Sequence, residues 1–87
     1  MRPVKWTVVL TASAQRDLRR LDRPVATRIL DALTRFADTG QGDVARLQGV
    51  SDEWRLRVGD WRIRSRYDYP NRRLEVLRIL TRGQAYR

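Results

Sequence analysis

The 87-residue chain contains no cysteine and no histidine, and these two absences exclude several kinds of site. Without cysteine there is neither a disulfide framework nor a thiolate metal site, which is typical of proteins in a reducing cytoplasm. Without histidine the chain lacks both the most common metal ligand and the usual acid or base of neutral pH. We therefore expect a protein that uses no metal and no cofactor.

Long apolar segments are also absent. No run reaches the roughly 18 apolar residues of a membrane-spanning helix, and the N-terminal residues lack the apolar region of a signal peptide. We expect a soluble cytoplasmic protein with no membrane partner. Its length predicts one small domain, residues 1–87, with a single core.

The charged residues are strongly unequal in sign and in type. Lys5 is the only lysine, yet the formal net charge is +9, so nearly all of the positive charge is arginine. Residues 55–87 hold ten arginines against three acids. A GC-rich genome explains scattered arginines through codon usage. The excess nevertheless predicts a polyanionic partner, such as nucleic acid or an acidic protein, for the C-terminal part.

The most informative stretch is residues 53–67, which predicts a β-hairpin. Arginines alternate with apolar residues on both sides of Gly59-Asp60, and such a pair is a two-residue turn signal because glycine supplies a positive φ. Counting outward from the turn pairs Val58 with Trp61, Arg57 with Arg62, Leu56 with Ile63, Arg55 with Arg64, and Glu53 with Arg66. One face is then apolar. The other, here called the arginine face, carries Arg55, Arg57, Arg62 and Arg64.

Two interpretations of the arginine face remain open. Like charges directly opposite one another are unfavourable by up to about 1 kcal/mol, and a multiply anionic ligand would relieve that repulsion. Arginine suits phosphate because its planar fork donates two parallel hydrogen bonds. Alternatively, this is an ordinary solvated face of an antiparallel sheet. Glu53, the one acid predicted on this face, favours the ligand interpretation because it leaves most of the arginines without partners.

The flanking patterns complete a β-α-α-β-β-β order. They predict a strand over residues 4–10, a helix from a Thr11 or Ser13 cap to about Leu21, a helix from Asp22-Arg23-Pro24 to Gly40, a connection over residues 41–52, and a last strand over residues 74–80 after a turn at Pro70-Asn71. This order is typical of an α+β fold with two helices on one face of a small, mainly antiparallel, four-stranded sheet.

Within these elements the periodicity separates core from surface. Val25, Ile29, Leu33 and Phe36, with Leu30 and Ala37 beside them, form a helical stripe that we assign to the core; a partner-binding helix is the alternative. Arg16, Asp17, Arg19 and Arg20 are expected to point outward. On the last strand, Leu77 and Ile79 are expected to face the helices, and Arg78 and Arg82 to share the arginine face. Trp54 and Trp61 are expected to pack as core or strand-edge aromatics.

This order of elements, together with residues 47–49 (Leu-Gln-Gly), the hairpin of residues 54–63 and the ending at residues 80–87, resembles the RelE/ParE superfamily of bacterial toxins over essentially the whole chain. The pattern is most similar to the RelE branch. The resemblance implies the fold described above, metal-independent cleavage of messenger RNA in the ribosomal A site with ribosomal RNA contacts, and neutralisation by a cognate antitoxin, with a heterotetramer as one expected form of the complex.

The resemblance also assigns site residues. The two basic residues of the family's second strand match Arg55 and Arg57, the arginine after the third-strand aromatic matches Arg62, and the C-terminal pair matches Arg82 and Tyr86. Arg64, Arg66 and Arg78 are expected to support RNA binding. Many RelE-branch toxins have lysines on the second strand, and some use glutamate or histidine for proton transfer. This chain has arginines instead and no histidine, so the general base is unassigned. Glu53, paired with Arg66 or free to act, is one candidate.

Three functions stay open at this stage. The first is the ribosome-dependent endonuclease, with Tyr86 stacking on a base unless it is only a frayed tail residue. The second is a ParE-like inhibitor of DNA gyrase with no catalytic activity. The third is an inactive relative that binds nucleic acid alone.

Overall fold

The computed structural model describes residues 6–47 and 53–81. Their elements follow in the order β1 (Thr7–Leu10), α1 (Ala12–Arg19), α2 (Arg23–Thr39), β2 (Asp43–Arg46), β3 (Glu53–Val58), β4 (Trp61–Asp68) and β5 (Arg73–Thr81). The predicted α+β class and the positions of both helices are confirmed. Residues 4 and 5 of the predicted first strand, like Arg82 and Tyr86, lie outside the described residues.

The helix ends follow local chemistry. Thr11, rather than Ser13, caps α1, because its hydroxyl accepts the Ala14 N–H at 3.2 Å. Pro24 occupies the first turn of α2, where a missing N–H leaves no partner unsatisfied. Gly40 ends α2 at φ 76°, in the left-handed conformation that glycine adopts readily, and its N–H donates to the Phe36 carbonyl at 2.8 Å.

The sheet has five strands in the order β1-β5-β4-β3-β2, so the prediction of four strands was wrong. β1 runs parallel to β5, and the other neighbours are antiparallel. The additional strand, β2, lies in the segment predicted as a connection. It is only four residues long, opens with Asp43 and offers one bulky apolar side chain, Val44. Such a segment carries no alternation that a sequence pattern could detect.

The core lies between α2 and the sheet. On α2, Ile29, Leu33, Phe36 and Ala37 are buried as predicted, whereas Leu30 is 38% exposed and lies at the edge of the stripe. The sheet contributes Leu56, Ile63, Leu74, Val76 and Ile79 to the same core cluster, and Ala14 of α1 joins it. Trp61 packs against the cluster, and the ring of Trp54 contacts Tyr67 edge-on with 6.2 Å between centroids. Both tryptophans therefore have the packing role predicted for them.

A register shift changes the faces of β5. Arg64 pairs with Arg78 but Ser65 pairs with Val76, so Leu77 is an extra residue, as in a β-bulge. Val76 before the shift and Ile79 after it are both buried. Leu77, predicted to lie in the core with Ile79, is only half-buried. A bulge of this kind reverses the alternation of a strand and cannot be read from period-two spacing.

Helix α1 takes over the edge of β5 beyond the end of β1. β1 pairs with β5 only as far as Val76, and Thr11 then continues the contact by donating its N–H to the Val76 carbonyl and its hydroxyl to the Leu77 carbonyl, each at 3.0 Å. Further along, Asp17 accepts the Ile79 N–H at 2.9 Å. Asp17 is 9% exposed, so the prediction that it points outward was wrong.

Within the described ranges, no helix is long and apolar enough to cross a membrane.

Candidate nucleic-acid interface

The predicted hairpin forms with the predicted register. Val58 pairs with Trp61, Arg57 with Arg62, Leu56 with Ile63, Arg55 with Arg64, and Glu53 with Arg66. Gly59 opens the turn at φ 59°, which a side chain would strain. A Cβ at this position would also lie 3.2 Å from the guanidinium of Arg28 on α2, so a side chain here would press against that arginine.

The arginine face extends onto the neighbouring strands. Arg78 of β5 lies on the arginine face, as predicted; it is the cross-strand partner of Arg64, and Arg64 in turn faces Arg55. These three residues form a row across β5, β4 and β3. Beside the row, Arg62 pairs with Arg57 on one side and with Leu80 on the other. Arg66, two positions beyond Arg64 on β4, pairs with Glu53 and Glu75, so the sheet brings six of the predicted site residues onto one surface.

Acidic side chains on this surface are more numerous than predicted. Asp43 of β2 contacts the Arg57 Nε at 2.6 Å, and both groups are more than half exposed. Glu53 is bound by Arg64 at 2.8 Å. Glu75 of β5 is bound by Arg66 at 3.1 Å. The expectation that Glu53 is the one acid of this face was therefore wrong. The acids compensate part of the like-charge repulsion, because each forms an ion pair with one of the arginines.

Arg62 is the exception among these arginines. It is 6% exposed, and its Nε is buried without a hydrogen-bond partner. Within the described part of the chain its guanidinium donates one hydrogen bond, from Nη1 to the Gly59 carbonyl at 3.4 Å. A buried cation that lacks a counter-charge is costly, since neither water nor a carboxylate offsets its desolvation. An anion within reach of this guanidinium would bind to a group that is already dehydrated.

Glu53, the candidate general base, has a different partner from the predicted Arg66. Both of its carboxylate oxygens accept from Nη2 of Arg64, at 2.9 and 2.8 Å. Its side chain is 13% exposed. The carboxylate thus holds one guanidinium in place, and Arg64 Nε stays buried and unpaired beside it. Glu53 is on the correct face, but its oxygens are already engaged.

The side chain of Arg78 is bound to Asp17 of α1. Its Nε and Nη2 donate to the two oxygens of Asp17 at 2.8 and 3.1 Å. Burial raises the pKa of Asp17, but the hydrogen bonds from Arg78 and from the Ile79 N–H, together with the charge of Arg78, outweigh burial and leave the pKa below its ordinary value. The same hydrogen bond raises the pKa of Arg78. Arg78 therefore remains a cation at any physiological pH.

The site has chemistry for binding anions and little for moving protons. In residues 6–47 and 53–81, no group of three or more acidic side chains is placed to hold a metal ion. Tyr67 packs against the core on the opposite face of the sheet, and its pKa is raised by burial and by the nearby Tyr69, so it stays protonated at neutral pH and supplies no base. Arg55 is half-buried on the arginine face. What these residues can do together is hold phosphate groups in fixed positions.

A family model supplies the decisive comparison. The model of the ParE toxin of type II toxin-antitoxin systems matches residues 8–86 of this chain. The chain belongs to the RelE/ParE toxin superfamily. No curated protein matches it at a significant level.

Solved structures of RelE/ParE toxins share the fold. The chain is similar to a chain of the RelBE2 toxin-antitoxin complex of Mycobacterium tuberculosis, with a TM-score of 0.78, 22% identity, and 95% of each chain covered. It is also similar to a chain of the archaeal RelE-RelB complex of Pyrococcus horikoshii, with a TM-score of 0.76, 21% identity, and 92% of this chain and 98% of the other covered. For the RelB-RelE complex of Methanococcus jannaschii the TM-score is 0.74, with 18% identity and 90% and 94% covered.

Two features of this RelE/ParE toxin were missed by the sequence reasoning. Asp43 lies in a strand that the pattern did not reveal, so its contact with Arg57 had no local signal. Asp17 reaches Arg78 across 61 positions of the chain, and its place among arginines on α1 suggested an ordinary solvated face instead. For Arg82 and Tyr86, which lie outside the described residues, the roles remain predictions.

Proposed function

We propose that this type II toxin is a ribosome-dependent endonuclease that cleaves messenger RNA without a metal ion. The observation that carries the proposal is the pair Arg57 and Arg62, which stand opposite one another on the hairpin with Arg62 buried and its Nε unpaired. A structural role would give such a guanidinium a carboxylate. A phosphate-binding role explains why it is held dehydrated and available.

The proposed reaction uses the RNA's own nucleophile. The 2′-hydroxyl attacks the adjacent phosphorus and gives its proton to a water molecule, and the bond to the 5′-oxygen of the next nucleotide breaks as that oxygen takes up a proton from Arg82 or from water. The products end in a 2′,3′-cyclic phosphate and a 5′-hydroxyl. Arg55, Arg57 and Arg62 would hold the scissile phosphate and the charge of the phosphorane. Arg82 would stabilise or protonate the leaving oxygen, and Tyr86 would stack on a base.

Proton removal is the step for which the site is least equipped. Arginine is a poor base because it hardly ever deprotonates, and Glu53 is engaged by Arg64. We assign the larger share of the rate to geometry. Holding the 2′-oxygen, phosphorus and 5′-oxygen in line converts an improbable encounter into a pre-formed one. The ribosome would supply the rest of the binding surface for the message.

The proposed partner that restrains the toxin is a cognate antitoxin. The similar solved chains are described as members of RelE-RelB or RelBE2 complexes. A net charge of +9 favours an acidic or amphipathic segment that covers the arginine face or displaces the C-terminal residues. Such a segment would place carboxylates where we propose that RNA phosphates bind.

A second candidate function is inhibition of DNA gyrase. The family model that matches the chain is described as a ParE toxin, which favours this alternative. The arginine face favours the nuclease, because a binding protein without chemistry has no need for a guanidinium that is buried with its Nε unpaired. Gyrase inhibition would leave the message intact and block supercoiling.

The two functions are separated by induced expression in bacteria and mapping of RNA 5′ ends. The nuclease predicts codon-positioned cuts that disappear in Arg62→Ala and Arg82→Ala. Arg73→Ala is the matched control, since Arg73 is exposed and pairs with Asp68 at the opposite end of the sheet. Arg62→Lys tests whether the paired N–H donors of the guanidinium are needed, since lysine keeps the charge but lacks two parallel donors. Intact message together with a DNA-damage response would overturn the nuclease in favour of gyrase.

A further inference from the structure

The arginine row of the sheet ends in a concavity at helix α1. Arg55, Arg64 and Arg78 are successive cross-strand partners, and neighbouring strands lie about 4.8 Å apart, so the row spans about 10 Å. Beyond Arg78, a concavity of about 140 Å³ is lined by Ser13, Arg16, Asp17, Arg20 and Arg78. The row and the concavity share Arg78, so they form one continuous surface.

The concavity carries more positive charge than its own acid compensates. Among the described residues that line it, Asp17 is the one acid, and its two oxygens are already occupied by Arg78 and by the Ile79 N–H. Arg16 donates to the Ser13 hydroxyl at 3.3 Å, which uses one of its five N–H donors. None of the ion pairs within the described ranges includes Arg16 or Arg20.

The positions of Arg16 and Arg20 are not explained by the stability of α1 alone. They are four residues apart, so they are neighbours on one helix face and repel one another by a few tenths of a kcal/mol. Cations near a helix C-terminus do interact favourably with the helix dipole, and that benefit is available at any position around the last turn. It does not account for two guanidinium groups that line the same concavity as Arg78.

We propose that this concavity between α1 and β5, lined by Arg16, Arg20 and Arg78, is a second phosphate-binding site for the RNA strand that the arginine face holds. The inference rests on the proposed function. Continuity favours RNA over an acidic peptide, because a nucleic-acid backbone that leaves the cleavage site along the Arg55–Arg64–Arg78 row meets a further cation at each step. The site would position the message and take no part in the chemistry.

The test measures the affinity of the purified toxin for a short single-stranded RNA as a function of salt, by fluorescence anisotropy. The RNA is methylated at every 2′-oxygen, so it binds without being cleaved. The double variant Arg16→Gln/Arg20→Gln is compared with Arg28→Gln/Arg35→Gln, which removes the same charge from exposed positions on α2. Arg20→Gln alone, at the end of α1, guards against a folding defect in the double variant, and circular dichroism checks every variant.

We expect the α1 double variant to bind RNA about tenfold more weakly at low salt and to lose about 0.7 to 1.4 units of the slope of log affinity against log salt. The α2 double variant should lose less than half of that slope. Equal losses in the two variants would overturn the proposal. So would an α1 variant that keeps its RNA affinity but loses affinity for the acidic segment of the cognate antitoxin.

Cleavage of ribosome-bound message by the wild type is measured in parallel. If the wild type cleaves the message but the two double variants lose the same salt slope, the second site is ruled out and the endonuclease is kept. A slope difference without wild-type cleavage would support the second site and remove the endonuclease. The failures of the two proposals are therefore distinguishable.

Discussion

Arg57 and Arg62 face one another across the β3–β4 hairpin, but their environments are opposite. Arg57 is exposed and ion-paired with Asp43, whereas Arg62 is 6% exposed and its Nε has no partner. An exposed ion pair contributes at most about 1 kcal/mol, so an RNA phosphate can replace Asp43 at low cost. In the proposed function, the buried Arg62 would then gain its counter-charge from the RNA.

Arg62→Met should separate stability from activity. Removing a buried cation that has no carboxylate partner within residues 6–47 and 53–81 should leave the free energy of unfolding unchanged or raise it by about 1 kcal/mol, while ribosome-dependent cleavage falls at least about 100-fold. Urea denaturation and a cleavage assay on the same preparation check both. Arg78→Met is the contrast. It leaves Asp17 buried without its cation and should cost about 1–3 kcal/mol, reduced because the Arg78 side chain is 44% exposed. A loss above about 3 kcal/mol in Arg62→Met would contradict the assignment.

Asp17 should make the stability depend on pH in acid. Its folded pKa is lowered by Arg78 and the Ile79 N–H, so the unfolded chain binds more protons at acid pH. The stabilisation is complete above the unfolded value of about 3.9 and is lost as the pH falls through the lowered folded value. Asp17→Asn should therefore be less stable than the wild type at pH 7, by about 1–2 kcal/mol, and the two proteins should converge as the pH falls through the lowered folded pKa of Asp17. A difference that stays constant from pH 7 to pH 2 in urea titrations would rule out this origin.

Glu53→Gln should reduce cleavage by less than about tenfold. The carboxylate holds Arg64 through both oxygens, so its loss disturbs a phosphate-binding arginine but removes no proton acceptor. A true general base contributes about 100- to 10,000-fold. Single-turnover cleavage across pH 5 to 9 decides between these roles. A loss of 100-fold or more, together with the disappearance of an acid-side limb in the rate profile, would make Glu53 the base.

Ser65→Ala should be neutral or stabilising. The Ser65 hydroxyl lies at the register shift, is buried, and has no hydrogen-bond partner, so deleting it removes an unsatisfied group and only a small volume. Chemical denaturation should show a gain of up to about 1 kcal/mol. Ile63→Ala, two positions away in the core of β4, is the matched control and should cost about 2–5 kcal/mol. A loss above 1 kcal/mol in Ser65→Ala would mean that the hydroxyl is satisfied in solution.

The parts of the fold that were predictable depend on local signals. Alternation on both sides of Gly59 set the hairpin register, and Pro24 and Gly40 set the ends of α2. What was missed depends on distant contacts or on single-residue irregularities. The bulge at Leu77 breaks a period that the sequence does not mark. Asp17 and Asp43 acquire partners only when α1 and β2 dock against the sheet, and no spacing in the sequence encodes that docking.

The arrangement of the arginines on the hairpin was predictable, and their electrostatics were not. The register places Arg55, Arg57, Arg62 and Arg64 together as expected, but the alternation could not show that Arg62 is buried or that Arg64 is held by Glu53. Burial depends on what packs beside a strand, and ion pairing depends on rotamers of long side chains. Both are properties of the folded molecule.

The most direct test of ribosome-dependent cleavage through the 2′-hydroxyl uses purified toxin, ribosomes and a defined message in two forms. One form is all-ribose, and the other has a 2′-deoxy sugar at the scissile nucleotide. If the 2′-hydroxyl is the nucleophile, the ribose message is cut to fragments ending in 2′,3′-cyclic phosphate and 5′-hydroxyl, and the deoxy message stays intact. The Arg62→Met variant should cut neither message. Cleavage of the deoxy message, 5′-phosphate ends, or an uncut ribose message alongside inhibited gyrase supercoiling would contradict cleavage through the 2′-hydroxyl.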